Sequence, residues 1–340
     1  MISTLKLATF RAARYSGISA LIKSSAWRSS RVLVLCYHGI ALDDEHEWNP
    51  ALFISASRFR ERMEILRDEG CVVLPLSEAI ARCAAGTLPP RSVALTFDDG
   101  SVDFIERVLP ILQEFRFPAT VYLTTYYCNR GVPVPDVAVS YLLWKGRHLK
   151  QLAFDGLLGI QGVLPVGTSE ERARVLELAA EWMTKSSTDA KTAAVELLSQ
   201  RVGYRTGEFF STRILQIMSS DEVRALPREL VDVELHTHRH RTPENRDEFL
   251  KELRDNDVLI RQLRVRPPQH FCYPSGVFRS DMVPVLEQMK VESATTCRSG
   301  MLSPSTDLMF IPRLVDTMNI SDEMFRAWVG GTAGLLPRRH

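Results

Sequence analysis

Two short stretches of this 340-residue chain concentrate side chains able to do chemistry. The first is Thr96-Phe97-Asp98-Asp99-Gly100, where strand-forming residues lead into two adjacent carboxylates and a glycine turn. Consecutive residues of extended chain point to opposite sides, so one carboxylate can hold a metal while its neighbour faces a substrate. An Asp-Asp-Gly sequence is also an ordinary turn. The second stretch is Leu235-His236-Thr237-His238-Arg239-His240, which holds three of the chain's eight histidines. His236 and His240 are four apart, so one turn of backbone can bring both imidazoles to one ion. His238 falls between them and is expected to point elsewhere. One carboxylate with two imidazoles makes an open, three-ligand site for a divalent metal, suited to hydrolysis. Zinc is the default ion, and the donor set also suits cobalt, nickel, iron or manganese.

Both stretches sit at the ends of β-forming runs. Such runs are Arg31–Tyr37, Cys71–Leu76, Ser92–Phe97, Pro118–Thr125, Leu230–Leu235, His270–Tyr273, Ser293–Cys297 and Met309–Val315. Helical patterns alternate with them. One starts at a Ser57 cap and carries Phe59, Met63 and Leu66 on one face. Others run from Ser77 to Ala85, through Val108, Ile111 and Leu112, and from a Thr242-Pro243-Glu244 cap to about Leu263. Strands alternating with helices imply a parallel sheet, and about eight such units imply an α/β fold of the (β/α) barrel kind, distorted or incompletely closed. The reactive face of such a barrel lies at the strand C-termini. Residues 126–219 show little strand signal and read as a helical insertion, too long for a plain crossover. Its aromatics, with Tyr126, Tyr127, Tyr141, Trp144 and Trp182 in or near it, are expected to pack its core rather than bind a ligand. The predicted organisation is a basic amphipathic helix over 1–30, barrel segments over 31–125 and 220–320 around the insertion, and a C-terminal helix and tail over 321–340.

Thr-Phe-Asp-Asp-Gly followed much later by His-Thr-x-x-His resembles the polysaccharide deacetylase (NodB-homology) domain, carbohydrate esterase family 4. Phe271-Cys272-Tyr273-Pro274-Ser275-Gly276 resembles the third motif of that family's exopolysaccharide-biosynthesis branch. Leu35-Cys36-Tyr37-His38-Gly39-Ile40 resembles that branch's opening strand, and Thr295-Thr296 with Ile311-Pro312-Arg313 its closing segment. The resemblance implies hydrolysis of the acetamide of an N-acetylated sugar in polysaccharide or glycolipid synthesis. It makes Asp98 the general base towards water at the metal. Asp99, His236 and His240 become the metal ligands, with Thr237 bracing their loop and a backbone N–H of Tyr273 receiving the oxyanion. Two departures stand out. The third motif lacks its leading arginine, and Arg313 is expected to pair with Asp98 in its place. No late Leu-x-His exists, so His38 is expected to serve in its place, for protonation or substrate contact, with His238 and His270 as lesser candidates.

The remaining composition narrows the alternatives. The formal charge of +1 and the scatter of basic residues speak against a nucleic-acid partner. No phosphate-binding loop or dinucleotide fingerprint is present. The six cysteines lie far apart and read as buried thiols of a reducing compartment. Residues 1–42 carry no acid but hold Lys6, Arg11, Arg14, Lys23, Arg28 and Arg31. Arg11 and Arg14 interrupt any secretory apolar centre, so the expectation is a cytoplasmic protein with peripheral contact at the inner membrane face. The competing expectation is a surface helix that caps a domain. Two other functions fit the same fold: an amidohydrolase acting on a non-sugar amide or imide, and a carbohydrate-binding pseudoenzyme without turnover. Oligomeric state is not readable from the sequence.

Overall fold

The computed structural model describes residues 18–335. Lys6, Arg11, Arg14 and His340 lie outside the described residues. Eight strands form one parallel sheet: β1 (Leu33–Tyr37), β2 (Val72–Val73), β3 (Ser92–Phe97), β4 (Ala119–Leu123), β5 (Val231–Leu235), β6 (His270–Cys272), β7 (Ser293–Thr295) and β8 (Leu314–Val315). Their order is β7-β6-β5-β4-β3-β1-β8, with β2 added to β3. β1, β3 and β4 are buried along their whole length, as expected for parallel strands covered on both faces. β1 pairs with β3 from Leu33–Val93 to Tyr37–Phe97. The other edge of β3 is shared: β2 takes its start at Ser92–Val93, and β4 takes its end at Thr96–Phe97. This split distorts the barrel. At the opposite side, an isolated parallel bridge from Thr295 to Ile311 links β7 to the segment entering β8.

Helices cover the sheet: α1 (Ala56–Asp68), α2 (Leu76–Ala85), α3 (Leu109–Phe115), α4 (Arg246–Leu263), α5 (Val283–Gln288) and α6 (Asp322–Gly330). The cap of α1 is Ser55, not Ser57; Ser55 is extended, and its hydroxyl accepts from the Arg58 N–H at 3.2 Å. The cap of α4 is Asn245, not Thr242, because its side-chain oxygen reaches the N–H groups of both Asp247 and Glu248. Asparagine ranks above threonine as a cap. The expected strand over Met309–Val315 shrinks to Leu314–Val315. Leu308–Phe310 coil into a 3₁₀ turn capped by Asp307, and Pro312 has no N–H for a ladder.

Tyr127–Ser219 form a separate compact unit. It holds helices Pro135–Lys145, Ser169–Lys185 and Thr188–Arg201. It also contains an antiparallel hairpin, Gln151–Ala153 with Val163–Pro165, that the weak strand signal did not reveal. Tyr141 is buried there and stacks on Trp144 and Phe209.

The described part of the N-terminal segment is broken into Ile18–Lys23 and Ala26–Ser29, with Ser25 capping the second piece. Its cations turn inward. Arg28 is fully buried, donating to the carbonyls of Val329, Arg31 and Ser92. Lys23 pairs with Glu69, and Arg31 lies over the Trp27 ring. This described part therefore packs against the barrel, and the rest of the segment lies outside the described residues. No helix among the described residues is long and apolar enough to cross a membrane. None of the six cysteines forms a disulfide; four are buried and two partly so.

Candidate active site

The backbone leaving β3 sets the two carboxylates apart. The Asp98 N–H continues the ladder to the Tyr37 carbonyl at 2.9 Å. Asp99 and Gly100 then both turn left-handed, at φ 69° and 78°. The left-handed φ favours glycine at position 100, where a Cβ would also press on the Leu123 Cδ1 at 2.3 Å. Asp98 is consequently driven into the barrel, 3% exposed, while the Asp99 side chain stays 32% exposed.

Asp99 Oδ1 lies 3.1 Å from His236 Nε2 and 3.2 Å from His240 Nε2. The tautomer of His236 is fixed from behind. Its Nδ1 sits 2.9 Å from the Cys272 carbonyl oxygen, which can only accept, so Nδ1 carries the proton. In neutral His236 the Nε2 lone pair then faces a carboxylate oxygen. Either a proton on Nε2 or a shared cation satisfies the two atoms at that distance, and an imidazole held through its other nitrogen is the usual form of a metal ligand. Asp99, Thr237 and His240 all have left-handed φ, a cost of roughly 1–3 kcal/mol each that the surrounding structure must over-determine. These residues fit a divalent ion. Two further groupings, Cys36–His38–Asp98 and Asp98–His236–Cys272, also converge, but both depend on Asp98, which is otherwise engaged.

Asp98 is gripped by Arg313, which stands just before β8. Arg313 Nη1 donates to Oδ1 at 2.6 Å and Nη2 to Oδ2 at 2.7 Å, in a fully buried fork. The fork is itself steadied by Thr96 Oγ1 and the Thr296 carbonyl. Burial pushes the Asp98 carboxyl up, but the Arg313 guanidinium outweighs it and holds the group well below the usual carboxylate range. Burial likewise opposes ionisation of Asp99, which the facing His240 and His236 hold low. His38, after β1, brings Nε2 to 3.6 Å from Asp98 Oδ2 with its side chain 18% exposed. Burial pulls its pKa down, yet Cys297 and the Asp98 and Asp99 charges leave it raised.

The other sequence-predicted residues divide. Thr237 does brace the loop: its hydroxyl accepts from the Arg241 N–H at 3.1 Å. Tyr273 does not offer the expected donor. Its N–H goes to the Thr295 carbonyl at 3.3 Å, extending the β6–β7 ladder, and its buried hydroxyl goes to Met309. His238 turns away to Thr125 Oγ1 at 2.9 Å. His270 begins β6 at the opposite end of the barrel, bonded to Ser293.

Sequence reasoning missed the supports. Asn256 on α4 is fully buried; its Oδ1 accepts from the His236 N–H, and its Nδ2 donates to the Leu123 carbonyl and Thr125. One turn earlier, buried Glu252 accepts from the Arg239 N–H and from the Arg239 and Arg241 guanidinium groups. The available signal was two polar residues four apart on the face that also carries Phe249, Leu253 and Ile260.

Residues 85–150 and 185–294, just over half of the chain, match the family model described as polysaccharide deacetylase. The chain belongs to the polysaccharide deacetylase family. Among curated deacetylases it is 31% identical over 101 residues to the poly-β-1,6-N-acetyl-D-glucosamine N-deacetylase of Escherichia coli K12, covering 29% of this chain and 15% of that protein. It is 32% identical over 72 residues to the enzyme of the same name from Staphylococcus aureus MSSA476, covering 21% and 25%. The chain thus matches a quarter or less of these relatives' lengths. Two solved structures share the fold over most of the chain. The deacetylase PplD of Streptococcus pyogenes, in complex with acetate, superposes at TM-score 0.58 and 16% identity over 90% of this chain and 99% of that one. IcaB from Ammonifex degensii superposes at 0.57 and 16% over 88% and 97%.

Proposed function

We propose that this deacetylase-family chain hydrolyses the N-acetyl group of an N-acetylated sugar in a polysaccharide or glycolipid. The observation that carries the reading is the pair of adjacent carboxylates in opposite states of engagement. Asp98 is buried and held ionised by Arg313, while Asp99 faces two imidazoles at the rim. Asp99, His236 and His240 would hold a divalent ion, which supplies Lewis acidity towards the acetamide oxygen and towards water. Asp98, ionised throughout the working range, takes the proton of the water that attacks the acetamide carbon. His38, close to the same carboxylate and with its pKa raised, gives a proton to the departing amine as the C–N bond breaks. Arg313 orients the base and does not touch the sugar. Curated relatives named for poly-β-1,6-N-acetyl-D-glucosamine support a polymeric β-linked substrate. The test is acetate release from N-acetylated monosaccharides, oligomers, nucleotide sugars and a lipid-linked mimic. Wild type should release acetate from an oligomer and the Asp98→Asn variant should not. A metal-loaded protein that binds oligomer without releasing acetate would instead be a pseudoenzyme.

A further inference from the structure

Three cysteines from different parts of the chain meet at the Asp98–Arg313 pair, and the hydrolytic scheme uses none of their thiols. Cys36, in β1, donates its thiol to Asp98 Oδ2 at 3.5 Å; Cys272, in β6, reaches the same oxygen at 3.4 Å. Arg313 Nη2 lies 3.1 Å from the Cys272 sulfur and 3.8 Å from that of Cys297. Cys36 and Cys272 are fully buried, whereas Cys297, two residues beyond β7, is partly exposed. Cys36 Sγ also lies 3.9 Å from His38 Nδ1, and both Cys36 and His38 act electrostatically on the Cys297 thiol. A partly exposed thiol beside a guanidinium, in a cluster with a second thiol that itself meets an imidazole, combines the features of an oxidisable site.

We infer that Cys297 is a peroxide-reactive thiolate and that Cys36 resolves its oxidised form into a Cys36–Cys297 disulfide beside the base. Its charge environment agrees. Cys36, then against burial His38 and the charge of Arg313, bring Cys297 down to about 4; Asp98 opposes this. Burial pushes the other thiols up, Cys71 to about 11 and Cys128 to about 12. The chemistry balances with hydrogen peroxide as oxidant. The Cys297 sulfur attacks one peroxide oxygen, the O–O bond breaks, and hydroxide leaves and takes up a proton as water. The Cys36 sulfur then attacks the sulfenic acid, the S–O bond breaks, and the hydroxyl leaves with the Cys36 proton as a second water. Two thiols lose two electrons and peroxide gains them. The product removes the thiol donor from Asp98.

The test uses the full-length, metal-loaded protein. At pH 6, limiting iodoacetamide should alkylate Cys297 ahead of partly exposed Cys71, read by peptide mass spectrometry. Stoichiometric peroxide should then remove two titratable thiols per chain and yield a Cys36–Cys297 linked peptide that dithiothreitol reverses. Cys297→Ser should keep its thiols at least about tenfold longer under the same peroxide. Cys36→Ser should stop at the sulfenic acid, trapped by a dimedone probe. Each variant is compared with its own unoxidised sample, and none of these readouts depends on deacetylation. Labelling that begins at Cys71, a disulfide joining any other pair, or thiol loss from Cys297→Ser at the wild-type rate would overturn the inference.

Discussion

Removing one partner of the Asp98–Arg313 pair should cost far more than removing both. Arg313 is fully buried and Asp98 is 3% exposed, and the two share two charge-assisted bonds of 2.6 and 2.7 Å. Arg313→Met keeps the volume but leaves a buried carboxylate without its counter-charge. Losing one partner of a buried pair costs about 3–5 kcal/mol. For a unit of this size each kcal/mol lowers Tm by about 2–4 °C, so the drop should be about 6–20 °C. Asp98→Asn should cost a similar amount, because it strands the guanidinium. The double variant removes both charges and should be more stable than either single one. Scanning calorimetry of the four proteins gives the coupling directly. Arg313→Met should also lower kcat by about 10²–10⁴-fold, the range of a positioned acid–base group, with metal content unchanged. Additive costs in the double variant, or a single-variant Tm within about 2 °C of wild type, would refute the pairing argument.

Two further outcomes follow from the supports. Asn256→Ala leaves the His236 N–H and the Leu123 carbonyl without their shared partner; metal affinity by competitive chelator titration should fall about 10–100-fold, and unchanged affinity would remove Asn256 from the account. Asp103 is buried, and burial pushes its carboxyl up from 3.8 to about 7 in spite of the bond from Ser101. A carboxyl with a raised folded pKa binds its proton more tightly folded than unfolded. Its stabilising effect is therefore full below about pH 4 and is lost as pH rises to about 7. The loss is on the order of 4 kcal/mol. Asp103→Asn should flatten that part of the stability–pH curve in urea titrations, and an unaltered slope would contradict the assignment.

The parts of this molecule that were legible in the sequence are those governed by local rules. Eight apolar runs contain the eight barrel strands, and the strands buried along their length, such as β1, β3 and β4, carry continuous β-branched and aliphatic residues. Asp98, Asp99, His236 and His240 were legible because side-chain chemistry and spacing mark them without reference to the fold. Arg313 was legible only by elimination, once the third motif was seen to lack an arginine; its fork to Asp98 is made across 215 residues. Where prediction failed, tertiary contacts decided. The Tyr273 N–H was expected at an oxyanion and is engaged by Thr295 in the β6–β7 ladder. Arg28 looked like one cation of an amphipathic face and is instead buried against three carbonyls. Asn256 and Glu252 carry no motif; only the packing of α4 under the histidine loop reveals them. The thiol cluster was likewise hidden, since Cys36, Cys272 and Cys297 are brought together only by the barrel.

The central claim is that Asp98, held ionised by Arg313, works beside a metal held by Asp99, His236 and His240. The most direct test is acetate release from a β-1,6-linked N-acetylglucosamine oligomer, with metal content measured on the same samples of wild type and Asp98→Asn. The account predicts release by wild type, equal metal in both proteins, and a loss of at least about 10²-fold in the variant. Equal release by both, or none from a metal-loaded wild type across the whole substrate panel, would contradict it.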